Sequence, residues 1–151
     1  MFDLNKKEKP FTSFSGFGGG GLGLSGGVTK QLTYVDDVFS TTVYPSNNGT
    51  LTVNTGFDNT EKSLIWAKRR NSAFNHALYD TERGLTKRLS SNTTNAESTH
   101  SDGINSFNVN GFTTGSDSGT NYNGNYVAWN FKAAPGFFDV VTYTGNGSVR
   151  Q

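Results

Sequence analysis

Cysteine is absent from the 151-residue sequence, which excludes disulfide bonds and thiolate chemistry from this chain. Charged residues are also few, at 17% of the chain, and 13 Lys and Arg residues are balanced by 12 Asp and Glu residues. This balance gives no strongly basic surface for nucleic acid or an anionic membrane. The apolar runs are too short for the core of a signal peptide or for a transmembrane helix. The sequence therefore predicts neither a nucleic-acid partner nor insertion into a membrane.

Hydrophobic residues amount to only 32%, and residues of turns and polar sheet faces replace them, among them 19 glycines. Between these turn residues lie the short runs GTLTVNTG, SLIWAKR, INSFNVNGF and NYVAWNF. Their length and alternation are typical of strands, and the pair Asn110 and Gly111 indicates a hairpin turn. We expect an all-β chain, folded as an antiparallel β-sandwich or jelly roll, with a core that contains Trp66, Val127, Trp129 and Phe131.

Composition divides the chain into three parts. Residues 1–33 form an extended arm without helix or strand periodicity, in which FTSFSGFGGGGLGLSGG joins spaced phenylalanines to a run of glycines. Residues 34–134 form the β-sandwich module. Within it only DTERGLTKRLSS has helical character, and Gly84 in its middle predicts a turn followed by a strand or one short helix. Residues 135–151 form a linker and the first strand of a following, truncated module.

The end of the chain repeats an earlier pattern. The stretch from Asp139 to Ser148 follows DVFSTTVYPSNNGT in its Asp-Val start, its Tyr and its Asn-Gly-hydroxyl turn. Such self-similarity indicates a repeat, and the neighbouring Pro135 and Gly136 indicate a break between units. The alternative is that two strands of one β protein share the same turn chemistry.

The residues that could support catalysis are scattered along the chain. His76 lies near Asp80 and Glu82, a carboxylate pair of the kind that glycosidases use, but strand and turn geometry brings such pairs together in most proteins without any chemistry. His100 stands beside Asp102 in STHSDG, and one His with one Asp does not make a metal site. We expect no enzyme, no catalytic residue, no metal and no cofactor.

Ligand binding is the alternative to a purely structural role. SDSGTNYNGNY is a polar loop with aromatic residues, and recognition sites usually lie on such loops. Its aromatic rings could stack on a sugar while its amides hydrogen-bond the hydroxyl groups. The candidate ligand residues are Asn121, Tyr122, Asn123 and Tyr126.

Four segments carry a recognisable pattern: VDDVFSTTVY, LIWAKRRNSAFNHALYDTERGLTKRLSSNTTNAE, VNGFTTGSD and NYVAWNFKAAPGFFDVVTYTGNGS. Together they resemble a module of tail-fibre-like structural proteins of tailed bacteriophages, especially phages of marine bacteria and cyanobacteria. The most specific pieces are YVAWNFKAAPGFFDVVTYTGNG and the spacing of Trp, Lys, Arg, His, Tyr-Asp and Arg-Gly in the second segment. Basic residues around that spacing could pair with its own carboxylates or with a neighbouring subunit: Arg69, Arg70, Arg83, Lys87 and Arg88.

The resemblance implies a β-rich module of a virion protein that is assembled in the host cytoplasm and lies in the phage tail or an appendage. It implies a homo-oligomer, a trimer as in tail fibres, because fibre subunits obey closed symmetry. It also implies further β domains downstream, often lectin-like, through which a host surface glycan could be bound. It carries over no catalytic residue.

A place in a phage appendage would give the arm a role. A fibre is held by other tail proteins, as an adaptor- or nozzle-type mount, and spaced aromatic side chains can bind in grooves there while glycines allow close backbone approach. The sequence thus predicts a non-enzymatic structural protein, the N-terminal part of a tail fibre that docks through its arm; the alternative is a receptor- or glycan-binding module. The expected assembly anchors are Phe2, Phe11, Phe14, Phe17, Leu22 and Leu24.

Overall fold

The computed structural model describes residues 33–56 and 58–148, which form one turn of helix followed by nine strands. The predicted anchors of the arm lie outside the described residues. The elements are α1 Val35–Val38, β1 Phe39–Pro45, β2 Leu51–Asn54, β3 Ser63–Arg69, β4 Ala77–Asp80, β5 Lys87–Arg88, β6 Ser98–Thr99, β7 Ile104–Asn108, β8 Gly111–Thr114 and β9 Asn125–Lys132.

Two antiparallel sheets pack against each other, which confirms the predicted all-β sandwich. The larger sheet has the strand order β1-β9-β3-β4, and the smaller one has the order β2-β8-β7. A separate ribbon of β5 and β6 joins the edge of β4 through a bridge between Leu78 and Leu89. Among the described residues no helix is long and apolar enough to cross a membrane.

The core lies between the two sheets and is built from alternating residues of their strands. From the larger sheet come Ile65 of β3, Tyr79 of β4 and Tyr126 of β9, all with no exposed surface. Phe112 and Ile104 of the smaller sheet face them and are equally buried. Because successive strand residues point to opposite faces, this alternation fixes which side chains point outward.

The prediction that Trp66, Trp129 and Phe131 are core residues is wrong. They are only half-buried and point outward from the larger sheet, while Val127 is buried on that same outward side and lies outside the core cluster. Both alternating sets of β9 carry apolar or aromatic residues, so hydrophobicity does not decide which set faces the core. The inward set includes Tyr126, whose buried hydroxyl has hydrogen-bond partners at Tyr122 and Ser118.

The hairpin between β7 and β8 turns one residue earlier than its Asn-Gly pair predicts. Asn108 pairs with Gly111, so Val109 and Asn110 form the two-residue turn. Gly111 instead begins β8 at φ +133°, where a Cβ atom would lie 2.0 Å from the carbonyl oxygen of Val53. The glycine is therefore needed for the close approach of β2.

The stretch around Gly84 forms a turn followed by a strand, β5, and no helix. Gly84 has φ +88° and Thr86 has φ +67°, left-handed conformations that interrupt a helix. After β9, the residues from Asp139 to Ser148 contain no strand within the described part of the chain. That these residues begin a further module stays a prediction.

Candidate functional site

Two of the four predicted ligand residues hold the loop before β9 in place. Asn121 is fully buried, and its amide group donates to Asn47 Oδ1 at 2.8 Å and to the Gly49 carbonyl oxygen at 2.7 Å while accepting from the Asn47 N–H at 2.9 Å. The buried Tyr126 hydroxyl accepts from the Tyr122 N–H at 3.0 Å and lies 3.0 Å from the Ser118 carbonyl oxygen. Burial raises the pKa of Tyr126, so this phenol stays protonated.

The other two predicted ligand residues lie at the protein surface. Tyr122 is 51% exposed, and Asn123 follows it in a left-handed conformation with φ +41°. The Asn123 carbonyl oxygen accepts a hydrogen bond from the Arg69 guanidinium, whose carbon lies 4.7 Å from the centre of the exposed Phe74 ring. We call the surface formed by Tyr122, Asn123, Arg69 and Phe74 the Tyr122 surface. One of its two aromatic rings, Phe74, carries the stacked Arg69 cation, and the other, Tyr122, is the more exposed.

Asp117, in the loop that precedes β9, is the centre of a polar cluster. Its carboxylate is 9% exposed; Oδ1 accepts from the Gly119 N–H at 2.8 Å and from Arg88 Nη1 at 3.1 Å, and Oδ2 lies 2.8 Å from His100 Nδ1. The Asp117 main chain also donates to the Asp102 carbonyl oxygen. Asp117 thereby connects the β5–β6 ribbon to the loop that precedes β9.

Ser98 extends this cluster, because its hydroxyl lies 3.0 Å from His100 Nε2. The contacts run from Ser to His to Asp, as they do in the catalytic triad of serine hydrolases, in which the aspartate stabilises the imidazolium that forms. Here the Asp117 carboxylate is already compensated by Arg88 and by the Gly119 N–H, and Ser98 is exposed on a strand of two residues. We therefore interpret the arrangement as a structural tie between the ribbon and the loop.

The sequence did not point to Asp117. It placed Asp102 beside His100, but the ring of His100 contacts Asp117 instead, 17 residues further along the chain. The one local signal is the spacing of Asp117 and Gly119, because an aspartate that accepts from the N–H two residues later is typical of a turn. No group of three residues that could hold a metal ion occurs in the part of the chain that the structure describes.

The suspected carboxylate pair is divided between the interior and the surface. Asp80 is 3% exposed and binds the Arg83 guanidinium at 2.6 Å, whereas Glu82 is exposed. The basic residues that follow β4 thus pair within this chain, Arg83 with Asp80 and Arg88 with Asp117.

His76 contacts the outward side of the larger sheet. Its Nδ1 accepts a hydrogen bond from Trp66 Nε1 at 2.8 Å, so the ring is neutral and carries its proton on Nε2. Partial desolvation, together with the charge of Lys68, lowers the pKa of His76.

We expect this histidine to make folding less favourable in mild acid. The folded pKa lies below the unfolded value of about 6.5, so the unfolded chain binds the proton more readily and the free energy of unfolding falls as the pH drops below that value. Urea unfolding between about pH 5 and pH 8 measures the effect. The variant His76→Asn keeps an acceptor for Trp66 without titrating, and it should lack this part of the pH dependence. The same slope in both proteins would contradict the assignment.

A family profile described as Domain of unknown function (DUF7483) matches residues 35–151. The match includes every strand of the sandwich and all the site residues described above, and it leaves the arm outside. No curated protein and no solved structure matches the chain.

Proposed function

The chain belongs to the DUF7483 family, and we propose that it is a non-enzymatic structural protein of a phage particle, the N-terminal part of a tail fibre or related appendage that docks on the tail through its arm. The particle, the tail and the mount are proposed from the sequence resemblance. The same resemblance supports a homo-oligomer, a trimer, that is assembled in the host cytoplasm.

One observation carries the role of the arm: Phe11, Phe14 and Phe17 recur every third residue and lead into a run of glycines. Each ring would gain about 1.5 to 3 kcal/mol from burial, and a glycine-rich stretch has few side chains of its own to bury it. This supports an arm whose phenylalanines bind in a groove on another protein, such as a mount.

The contacts of the polar residues support the absence of catalysis. Asp80 and Asp117 are each held by an arginine, and the ring of His76 accepts from Trp66. A general acid or base needs a hydrogen-bonding path to a substrate. The side chains of Asp80, Asp117 and His76 form their hydrogen bonds with other residues of this chain instead.

A receptor- or glycan-binding module is the second candidate, and the Tyr122 surface favours it. Tyr122 is 51% exposed and Phe74 is 37% exposed, and rings of this kind can stack on the apolar face of a sugar. In that case the body would face the host and the arm would be dispensable for attachment to the tail.

Deleting residues Met1–Gly27 tests the two candidates against each other. We expect phage particles that carry the deletion to lose the appendage, although the purified body keeps its β-sheet circular-dichroism spectrum. Single changes of Phe11, Phe14 or Phe17 to Ala should each weaken docking by about 1 to 3 kcal/mol, and several copies acting together would mask part of this loss.

The matched control replaces the polar residues between the rings, as Thr12→Ala, Ser13→Ala and Ser15→Ala. These variants should assemble normally. Particles that keep a full complement of the appendage after deletion of the arm would contradict docking through the arm and favour the receptor-binding candidate.

A further inference from the structure

The larger sheet has a second apolar face, which points away from the core. Across its strands Phe39 pairs with Phe131, and Trp129 pairs with Trp66. The two indole rings meet edge to face with their centres 5.7 Å apart. We call this surface the outer face and define it by the apolar outward residues of β1, β9 and β3, which are Phe39, Val43, Leu64, Trp66, Val127, Trp129 and Phe131; the outward residues Thr41 and Lys68 lie among them.

The described residues cover the outer face only in part, with Phe138 at one end and the His76 ring against Trp66. The Phe138 ring, in the segment after β9, lies 5.2 Å from the Phe131 ring, measured between centres. Toward the other end of β1, Val43 is 62% exposed, and both tryptophans are half-buried. Leaving apolar surface in water costs about 25 cal/mol per Å², so a covering segment would stabilise the protein.

The arm ends beside this face. Tyr34 is followed by the four residues of α1, which packs against β9, and the next residue, Phe39, already belongs to the outer face. An extended chain from Leu24 to Tyr34 reaches about 35 Å. The three strands of the outer face, β1, β3 and β9, have seven or eight residues and are about 25 Å long, so the whole face is within reach of the arm.

The composition of the arm suits an apolar surface. From Phe11 to Gly27 it carries no charged side chain, so nothing charged would have to leave water. Its three phenylalanines recur every third residue, and its glycines let the backbone lie close to a sheet. We propose that residues 11–24 of this chain's own arm cover the outer face in the free subunit.

This placement goes beyond the proposed function, because it concerns the arm before any docking. A mount that binds the arm has to remove it from the outer face. The free subunit thereby keeps both its phenylalanines and its tryptophans out of water, which protects it from aggregation.

The two tryptophans of the chain both lie on the outer face, so tryptophan fluorescence, excited selectively, reports on this surface. In the full chain we expect the variant Phe11→Ser, Phe14→Ser, Phe17→Ser to shift tryptophan emission to longer wavelength and to increase quenching by acrylamide. The control Thr12→Ala, Ser13→Ala, Ser15→Ala changes the same segment without removing a ring, and it should leave both signals as they are in the natural sequence.

A change on the face itself gives the reciprocal test. Val43 is largely exposed, so Val43→Lys should fold, as a β-sheet circular-dichroism spectrum can verify, and it should raise acrylamide quenching in the same way. Unchanged quenching in the phenylalanine variant overturns the proposal. A red shift of the natural chain on dilution also overturns it, because the face would then be covered by a second copy. Neither outcome depends on phage particles, so failure here is distinguishable from failure of docking on the tail.

Discussion

Replacing Asp80 by alanine is expected to lower the free energy of unfolding by about 3 to 5 kcal/mol, the range found when one partner of a buried ion pair is removed. Asp80 ends β4 with a side chain that is 4% exposed, and Arg83 beside it is 13% exposed. The carboxylate accepts from the Arg83 N–H at 2.8 Å and from the Arg83 Nε at 2.6 Å. Without it, a largely buried guanidinium would keep only the Leu78 carbonyl oxygen at 3.1 Å and Glu97 at 3.5 Å.

Glu82→Ala is the matched control for this experiment. Glu82 lies two residues away in the same turn and is exposed, so its loss should change stability by less than about 0.5 kcal/mol. Chemical denaturation of the two variants measures the difference. Equal stability of both proteins would mean that Arg83 does not depend on Asp80. Glycan cleavage by the natural chain that is lost in Glu82→Ala would contradict the non-enzymatic proposal as well.

Local patterns predicted the strands but not their orientation. SLIWAKR forms β3 and NYVAWNF lies within β9, because the length and alternation of an apolar run are properties of neighbouring residues. Both alternating sets of β9 carry aromatic residues, so the local pattern does not decide which side faces the core. In the folded protein Tyr126 packs into the core cluster with Phe112 of the other sheet, and Trp129 points outward. Such contacts between sheets join residues that are distant in sequence, so the sequence alone left Trp129 on the wrong side.

The polar cluster around Asp117 could not be predicted from the sequence for the same reason. Asp117 meets Arg88 from 29 residues away and His100 from 17 residues away. The amide of Asn121 binds the Asn47 side chain across 74 residues. The composition of the loop was enough to recognise a polar loop with aromatic residues. It did not show which of the loop's side chains form hydrogen bonds with residues that are distant in sequence. Of the four predicted ligand residues, Tyr122 and Asn123 are the ones that remain exposed.

Replacing Gly111 by alanine is expected to destabilise the sandwich more than the same change at any open glycine. Gly111 has φ +133°, which L residues rarely adopt, and its Cβ would lie 2.0 Å from the Val53 carbonyl oxygen. Backbone strain of this kind costs about 1 to 3 kcal/mol, and forcing atoms into a packed site costs about 1 to 3 kcal/mol more. The obstacle is main chain of β2, so it cannot turn aside as a flexible side chain would.

Gly84→Ala separates these two contributions, since Gly84 has φ +88° but no atom within 4 Å of the added Cβ. It should show the cost of the left-handed conformation alone, about 1 to 2 kcal/mol. Gly49→Ala, whose nearest atom is Asn47 Oδ1 at 3.9 Å, should be close to neutral. Urea unfolding of the three variants should therefore rank Gly111 well above Gly84 and Gly84 above Gly49. If Gly111→Ala costs no more than Gly84→Ala, β2 does not approach β8 as closely as the pairing of Asn54 with Gly111 requires.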